Sequence, residues 1–312
     1  MVKRKKIALI GAGQIGGNLA LLAAQKQLGD VVLYDVEKAL GLAKGKALDL
    51  NQLRAVDGLD SMLSGTSDFK DLEGADVAIV TAGIPRKPGM SREDLTEVNL
   101  GIVKDVAPKL KQYCPNAFSI VLTNPLDAMV HALWKLTGFA KKQVVGMAGV
   151  LDTSRFRFFI SEAVGCSIED VHALVLGGHG DDMVPLVRQC SVGGIPLAEV
   201  LSPDKIDAIV KRTREGGAEL VKLYQTGSAY FAPAASAMQM AESYLLDRKR
   251  VLPAAALLEG EYGIQGYFIG VPVQIGAGGV ERVFEVKLNE DERAMLERSF
   301  ISVKKTVETI RW

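Results

Sequence analysis

Residues 6–17 read KIALIGAGQIGG, and no other stretch of the chain restricts its fold so tightly. A short apolar run at 7–10 meets Gly11, Gly13 and Gly16, and a helical pattern opens at Gln14 and Ile15 and continues to about residue 25. Strand, glycine-rich turn and helix in that order make a pyrophosphate site. Gly11 permits the tight turn, Gly13 lets phosphate oxygens reach the backbone, and Gly16 lets helix lie close on strand. The phosphate charge then faces unpaired N–H groups at the positive end of the helix. Alone, GxGxxG is a weak signal, because glycines mark many turns. Here a second apolar run, at 31–34, ends in Asp35, at the spacing of a carboxylate that binds ribose hydroxyls. Asp35 is followed closely by Glu37 and by no arginine, which points to NAD rather than NADP.

The alternation continues. Residues 38–53 are Ala/Leu-rich and helical, and 76–82 (DVAIVTA) form a strand apolar on both faces. Residues 83–91, GIPRKPGMS, form a loop, and Ser91 and Asp94 suit the cap of a helix running to about 112. A strand at 119–122 ends in Thr123-Asn124-Pro125, followed by a helix at 127–136 and a strand at 144–147. Such units predict a doubly wound parallel sheet with ligand at the carboxyl ends of its strands. Near Gly149 the character changes. A helix at 152–164, a strand at 171–176 and a sharp turn, GGHGDD, come first. Helices then fill 204–246, interrupted at Gly216, Gly217, Gly227 and Pro233, and antiparallel hairpins fill 251–286. Asn289 caps a last helix striped by Leu296, Phe300, Val303, Val307 and Ile310. The expected architecture is α/β: a Rossmann dinucleotide-binding domain over 1–148 and an α+β substrate domain over 149–312, sharing an extensive interface.

With 37 basic and 37 acidic residues, the chain carries no overall field to hold nucleic acid or an anionic membrane. No apolar stretch reaches the roughly 20 residues of a membrane span. The basic, then apolar start resembles a secretion signal but passes straight into the glycine turn, and reads as the first strand. Cys114, Cys166 and Cys190 form no CxxC pair and are odd in number. That usage fits a reducing compartment, so a cytoplasmic protein without a metal site is expected.

A nicotinamide site needs a group that moves a proton, and histidine titrates in the right range. The chain has three. His131, four residues before Lys135, reads as a surface residue; His172, inside VHALVL, reads as a core residue. His179 stands past a strand end, between glycines, where a side chain is presented rather than packed. Asp152 and Arg155, three apart on one helix face, can orient that histidine and grip a substrate carboxylate through two parallel hydrogen bonds. By itself such a pair is a common surface ion pair of little worth.

Taken together, GAGQIG with Asp35, TAGIPRKPGMSR, TNPLD, LDTSRFR and GGHGDDMVPL resemble the malate/lactate dehydrogenase family from end to end, most closely its bacterial-type, lactate-dehydrogenase-like malate branch. The resemblance implies an NAD-dependent oxidoreductase acting on malate and oxaloacetate, with a place in the tricarboxylic acid cycle and a homodimeric or homotetrameric assembly. It makes His179 the proton donor and acceptor, Asp152 its partner, and Arg155 the holder of the carboxylate common to 2-hydroxy acids. Asn124 bonds the substrate and helps place the nicotinamide beside Thr81, Ala82 and Gly83. Arg92 polarises the reacting carbonyl when the loop closes, and Arg86 reads the second carboxylate, where lactate enzymes typically carry glutamine. Ala229, where family lactate enzymes commonly carry threonine, leaves space for a carboxymethyl group. The rival readings are a lactate or broad 2-hydroxy acid dehydrogenase, a non-catalytic nucleotide-binding regulatory module, and a Rossmann methyltransferase.

Overall fold

Six short apolar strands build the first half: β1 (Lys6–Ile10), β2 (Asp30–Tyr34), β3 (Leu63–Thr66), β4 (Val77–Val80), β5 (Phe118–Val121) and β6 (Val144–Gly146). The computed structural model describes residues 4–85, 92–225 and 227–311, with Arg92 described by its backbone alone. The strands run parallel in the order 3-2-1-4-5-6. Helices α1 (Gln14–Gln25), α2 (Leu40–Asp57), α3 (Arg92–Tyr113) and α4 (Leu126–Thr137) connect them. Both faces of the sheet are covered, which is why its strands read as unbroken apolar runs. On β1, Ile7 and Leu9 join the core beneath α1 and α2, while Ala8 and Ile10 join the core beneath α3 and α4. The strand order reverses between β1 and β4, which opens a crevice at their carboxyl ends. β3 is absent from the sequence reading: LSGT has no apolar run because it lies at the sheet edge, its Gly65 pressed on the backbone of Ala43.

The second half starts with α5 (Ala148–Val164). Five two-residue strands follow: β7 (Val171–His172), β8 (Val175–Leu176), β9 (Val184–Pro185), β10 (Ser191–Val192) and β11 (Ile195–Pro196). Then come α6 (Leu197–Val200), α7 (Pro203–Tyr224), α8 (Phe231–Leu245), β12 (Arg250–Glu259), β13 (Gln265–Gly276), β14 (Gly279–Val283) and α9 (Glu290–Glu308). β12, β13 and β14 are antiparallel and continue the first sheet, β12 meeting β6 at Ala255 and Gly146, so nine strands form one sheet among the described residues. α8 returns to the first half, where Ala237, Met238 and Ala241 share a core with Leu19, Ala20 and Ala23 of α1. Asn289 and Glu292 close a reciprocal cap at the start of α9, at 2.8 and 2.9 Å. No helix among the described residues is long and apolar enough to cross a membrane.

Three local expectations change. Gly216 and Gly217 do not interrupt α7, and Pro233 sits in the first turn of α8, where its missing N–H costs no helical bond. His172 is exposed: 171–176 is not one strand but two, in different sheets, and His172 faces out of the first. His131 is buried, packed edge-on to Trp134 and near Tyr267 and Phe268. Its spacing to Lys135 misled because α4 is covered on nearly all sides, and only the end carrying Lys135 reaches solvent.

Burial, and then the charge of Lys135, lower the His131 pKa to about 4. The unfolded chain therefore takes up this proton first as pH falls below 6.5, and the native state loses stability until about pH 4. Relative to His131→Gln, wild type should lose about 2–3 kcal/mol of unfolding free energy between about pH 7 and about pH 4.5. Parallel denaturant titrations of both proteins measure it, and equal pH slopes would contradict it.

Candidate active site

The glycine turn after β1 is fixed by contact. Gly11 has φ +114°, and a Cβ there would stand 2.6 Å from Thr81 Oγ1; one on Gly16 would stand 2.0 Å from the Gly11 carbonyl oxygen. Gly13, in contrast, has nothing within 4 Å of a Cβ, and it begins α1 with no side chain capping the first N–H groups, among them those of Gln14 and Ile15. The Asp35 carboxylate is held beside this opening: Ala12 N–H donates to Oδ2 and Val36 N–H to Oδ1, both at 2.8 Å. An open backbone, an uncapped helix start and an oriented carboxylate suit a dinucleotide's pyrophosphate and ribose. Lys46 of α2, outside the sequence candidates, donates to the Gly13 carbonyl at 2.6 Å, and burial lowers its pKa. Nothing in the spacing of α2 marks it, since its approach depends on how the helix packs.

The neighbouring strand ends are tied to the same turn. Thr81 Oγ1 donates to the Gly11 carbonyl at 3.2 Å, and Thr123 Oγ1 donates to the Ala82 carbonyl at 2.7 Å. Gly83 follows, where a Cβ would stand 2.7 Å from Thr123 Cγ2. Asn99, wholly buried in α3, accepts from Ile84 N–H at 2.8 Å and donates to the carbonyls of Ile84 and Asn124, at 3.1 and 2.7 Å. This second missed residue fixes the foot of the loop after β4 against the turn after β5. The Asn124 side chain itself is exposed. Arg86 and Ser91 lie outside the described residues; Arg92 opens α3, and its side chain also lies outside them. Ala229 is half-buried in the stretch between α7 and α8.

His179 follows β8, and its ring Nδ1 lies 2.9 Å from Asp152 Oδ2. Asp152, buried in α5, accepts at Oδ1 from Arg155 Nη1 at 3.2 Å. Nδ1 facing a carboxylate fixes the proton there and leaves Nε2 for chemistry. Burial pulls the His179 pKa down, but the charge and hydrogen bond of Asp152 outweigh it, and the net shift is upward. Arg155 lies across α7 where Gly216 and Gly217 offer no side chain; a Cβ on Gly216 would stand 3.3 Å from its Cδ. Its Nε is buried with no partner among the described residues, a donor suited to an anion.

A third residue escaped the sequence reading although its motif did not. Asp127, the acid of TNPLD, accepts from His179 N–H at Oδ2, at 2.8 Å, across 52 residues of chain. It is buried, its Oδ1 has no partner among the described residues, and burial pushes its pKa up to about 6 against the pull of that hydrogen bond. In sequence it is only an acid in the first turn of a helix. Through it the His179 turn sits beside the start of α4, three residues from Asn124. Asp35, Gly11, Thr81 and Asn124 thus follow β2, β1, β4 and β5 along one edge of the sheet, and the His179–Asp152–Arg155 cluster closes that edge from the second half. Among the described residues no group of three or more His, Cys, Asp or Glu could hold a metal ion.

The chain matches the family model described as the lactate/malate dehydrogenase NAD-binding domain over residues 5–146, and that of the lactate/malate dehydrogenase alpha/beta C-terminal domain over 149–311. A malate dehydrogenase of Myxococcus xanthus is 70% identical over 308 residues, which cover 99% of this chain and 98% of that one. Among solved structures, the malate dehydrogenase of Cryptosporidium parvum superposes with a TM-score of 0.95 at 47% identity, covering 98% of each chain. The same organism's lactate dehydrogenase, solved with lactic acid and NAD, also reaches 0.95, at 45% identity over 99% of this chain and 98% of that one. A strand-end crevice built for a dinucleotide, with a histidine–aspartate–arginine cluster at its edge, therefore comes with full-length similarity in sequence and in fold, and the chain belongs to the lactate/malate dehydrogenase family.

Proposed function

We propose that this chain is an NAD-dependent malate dehydrogenase that interconverts malate and oxaloacetate. The observation that carries the chemistry is the His179–Asp152–Arg155 cluster, with Nδ1 tied to a buried carboxylate and the arginine beside it. When bound, the cofactor supplies or accepts the hydride at the carbonyl carbon. His179 gives its Nε2 proton to the carbonyl oxygen and takes it back in malate oxidation, while the Asp152 carboxylate at Nδ1 stabilises the imidazolium. Arg155 holds the carboxylate next to the reacting carbon. Arg86 holds the second one, Arg92 polarises the carbonyl, and Asn124 orients the substrate. Loop closure over 83–91 excludes water, which strengthens each of these charge interactions.

Malate is favoured over lactate by Arg86 and by relatives that carry the malate name. Similarity of fold extends equally to a lactate dehydrogenase, so architecture does not discriminate. The test is the loss of NADH absorbance on adding oxaloacetate and then pyruvate. Fast oxidation with oxaloacetate alone is expected. A preference for pyruvate would make the protein a lactate enzyme, and no oxidation with either would favour a regulatory module.

NADH should exceed NADPH in kcat/KM by roughly 30-fold or more, since a 2′-phosphate against Asp35 sets like charges in contact at a cost of about 2 kcal/mol or above. Equal values would remove the role given to Asp35. We assign cofactor binding to 1–148 and substrate binding to 149–312, with Arg86, Arg92 and Asn124 reaching across from the first. A homodimer or homotetramer working in the cytoplasm, in the tricarboxylic acid cycle, completes the reading.

A further inference from the structure

Three consecutive amides hold the turn that carries His179, and each goes to a different element. Gly177 N–H donates to the Gly270 carbonyl of β13 at 2.9 Å, Gly178 N–H to Ser299 Oγ of α9 at 2.9 Å, and His179 N–H to Asp127 Oδ2 of α4 at 2.8 Å. Any residue supplies the first acceptor. The other two are side chains.

The turn needs such anchors because its own sequence gives it no stiffness. Residues 177, 178 and 180 are glycines, and Gly177 holds φ +89°. Glycine leaves the backbone nearly unrestricted, so the direction of the one imidazole between them must be imposed from outside. Ser299 stands on the buried face of α9, in line with Leu296, Val303 and Val307, and is itself wholly buried. A hydroxyl there costs stability unless it is hydrogen-bonded, whereas alanine would pack on that stripe without such a cost. The approach is also close: a Cβ on Gly177 would stand 2.6 Å from Ser299 Oγ, and one on Gly178 2.5 Å from Val303 Cγ2. The closing helix thus reaches 121 residues back along the chain to the turn.

We propose that Ser299 is a positioning residue for His179: by accepting from Gly178 N–H, it fixes the turn so that the imidazole stays on Asp152. This rests on the reading of His179 as the proton donor. Ser299 touches no reacting group, and its effect passes through the backbone to the ring. When the acceptor is lost, Gly178 N–H has no partner, the glycine backbone relaxes, and the ring departs from its 2.9 Å contact with Asp152.

Ser299→Ala tests this. Its kcat for oxaloacetate should fall roughly tenfold, short of the hundredfold that a 1 Å misplacement can cost. The NADH dissociation constant, read by fluorescence, should stay within about twofold of wild type, because the glycine turn after β1 is untouched. The descending limb of kcat/KM against pH should move to lower pH, as His179 loses the charge that holds its proton. Ser299→Cys keeps the volume with a weaker acceptor and should fall between the two. Leu296→Ala removes packing one turn before Ser299 on the same helix and leaves the Gly178 acceptor in place; it should lower Tm and leave kcat and the pH limb as in wild type. Folded Ser299→Ala with wild-type kcat and pH limb would overturn the proposal, as would Leu296→Ala reproducing its profile. If Ser299→Ala does not fold, wild-type values for Ser299→Cys would overturn it. His179→Asn separates the two readings. Retained turnover there would bring down the role of His179 and this proposal with it; loss of turnover there beside a wild-type Ser299→Ala would bring down the positioning role alone.

Discussion

Replacing His179 by asparagine should lower kcat with oxaloacetate by roughly 10²- to 10⁴-fold, the usual worth of a positioned general acid. Asparagine keeps the size and polarity of the side chain and can still bond Asp152, so the turn and the cofactor crevice survive, yet it has no proton to give at neutral pH. NADH binding, followed by fluorescence, should be unchanged. The pH dependence of wild type should agree. Burial pulls the pKa of His179 down but Asp152 raises it above 6.5, so oxaloacetate reduction should be full at low pH and fall as pH rises through that raised value. Malate oxidation, which needs the neutral ring, rises over the same interval. Asp152→Asn removes the largest upward influence and leaves burial and Arg155 opposed only by Asp127, so the reduction limb should move to lower pH. A His179→Asn enzyme that reduced oxaloacetate within a few-fold of wild type would exclude His179 as the proton donor.

Arg86→Gln should cost oxaloacetate roughly 30- to 3000-fold in kcat/KM. If Arg86 holds the second substrate carboxylate as proposed, the variant would leave that group without its cation, and losing one partner of such a pair costs about 2–5 kcal/mol. Lysine would be a poor substitute, since the guanidinium fork matches both carboxylate oxygens. Pyruvate should gain less than oxaloacetate loses. Removing a cation helps a neutral methyl group, but if Ala229 flanks the substrate as proposed, it would leave space that a methyl does not fill. A complete exchange to lactate dehydrogenase is therefore not expected from this single change. Steady-state kinetics with both substrates decides it, and undiminished oxaloacetate activity would take away the main support for malate.

Pattern within short windows was enough for one part of this protein. KIALIGAGQIGG fixes a strand, a turn and the start of a helix within twelve residues, because glycine freedom and apolar period act between neighbours, and Asp35 follows from the length of one helix and one strand. Asp152 and Arg155 are legible for the same reason: three residues on a helix is a fixed geometry, seen as the 3.2 Å contact. His179 stands out among three histidines by its place between glycines at a strand end, although its side chain is mostly buried, with Nδ1 2.9 Å from Asp152.

The other two histidines show where that reasoning ends. Spacing says which side of an element is apolar, but not whether the opposite side is also covered. His131 is buried because β13 and α9 close over α4, and His172 is exposed because its apolar run is divided between two sheets. β3 went unseen because an edge strand needs no apolar run, and nothing in 251–286 says that its hairpins continue the parallel sheet. Asn99, Asp127 and Ser299 meet the candidate site only through partners 15 to 25, 52 and 121 residues away. A buried polar side chain has no periodic signature of its own. Its worth depends on the donor or acceptor it meets across the fold, and that meeting is decided by how helices and strands pack, which is a property of the tertiary structure and not of any window of sequence.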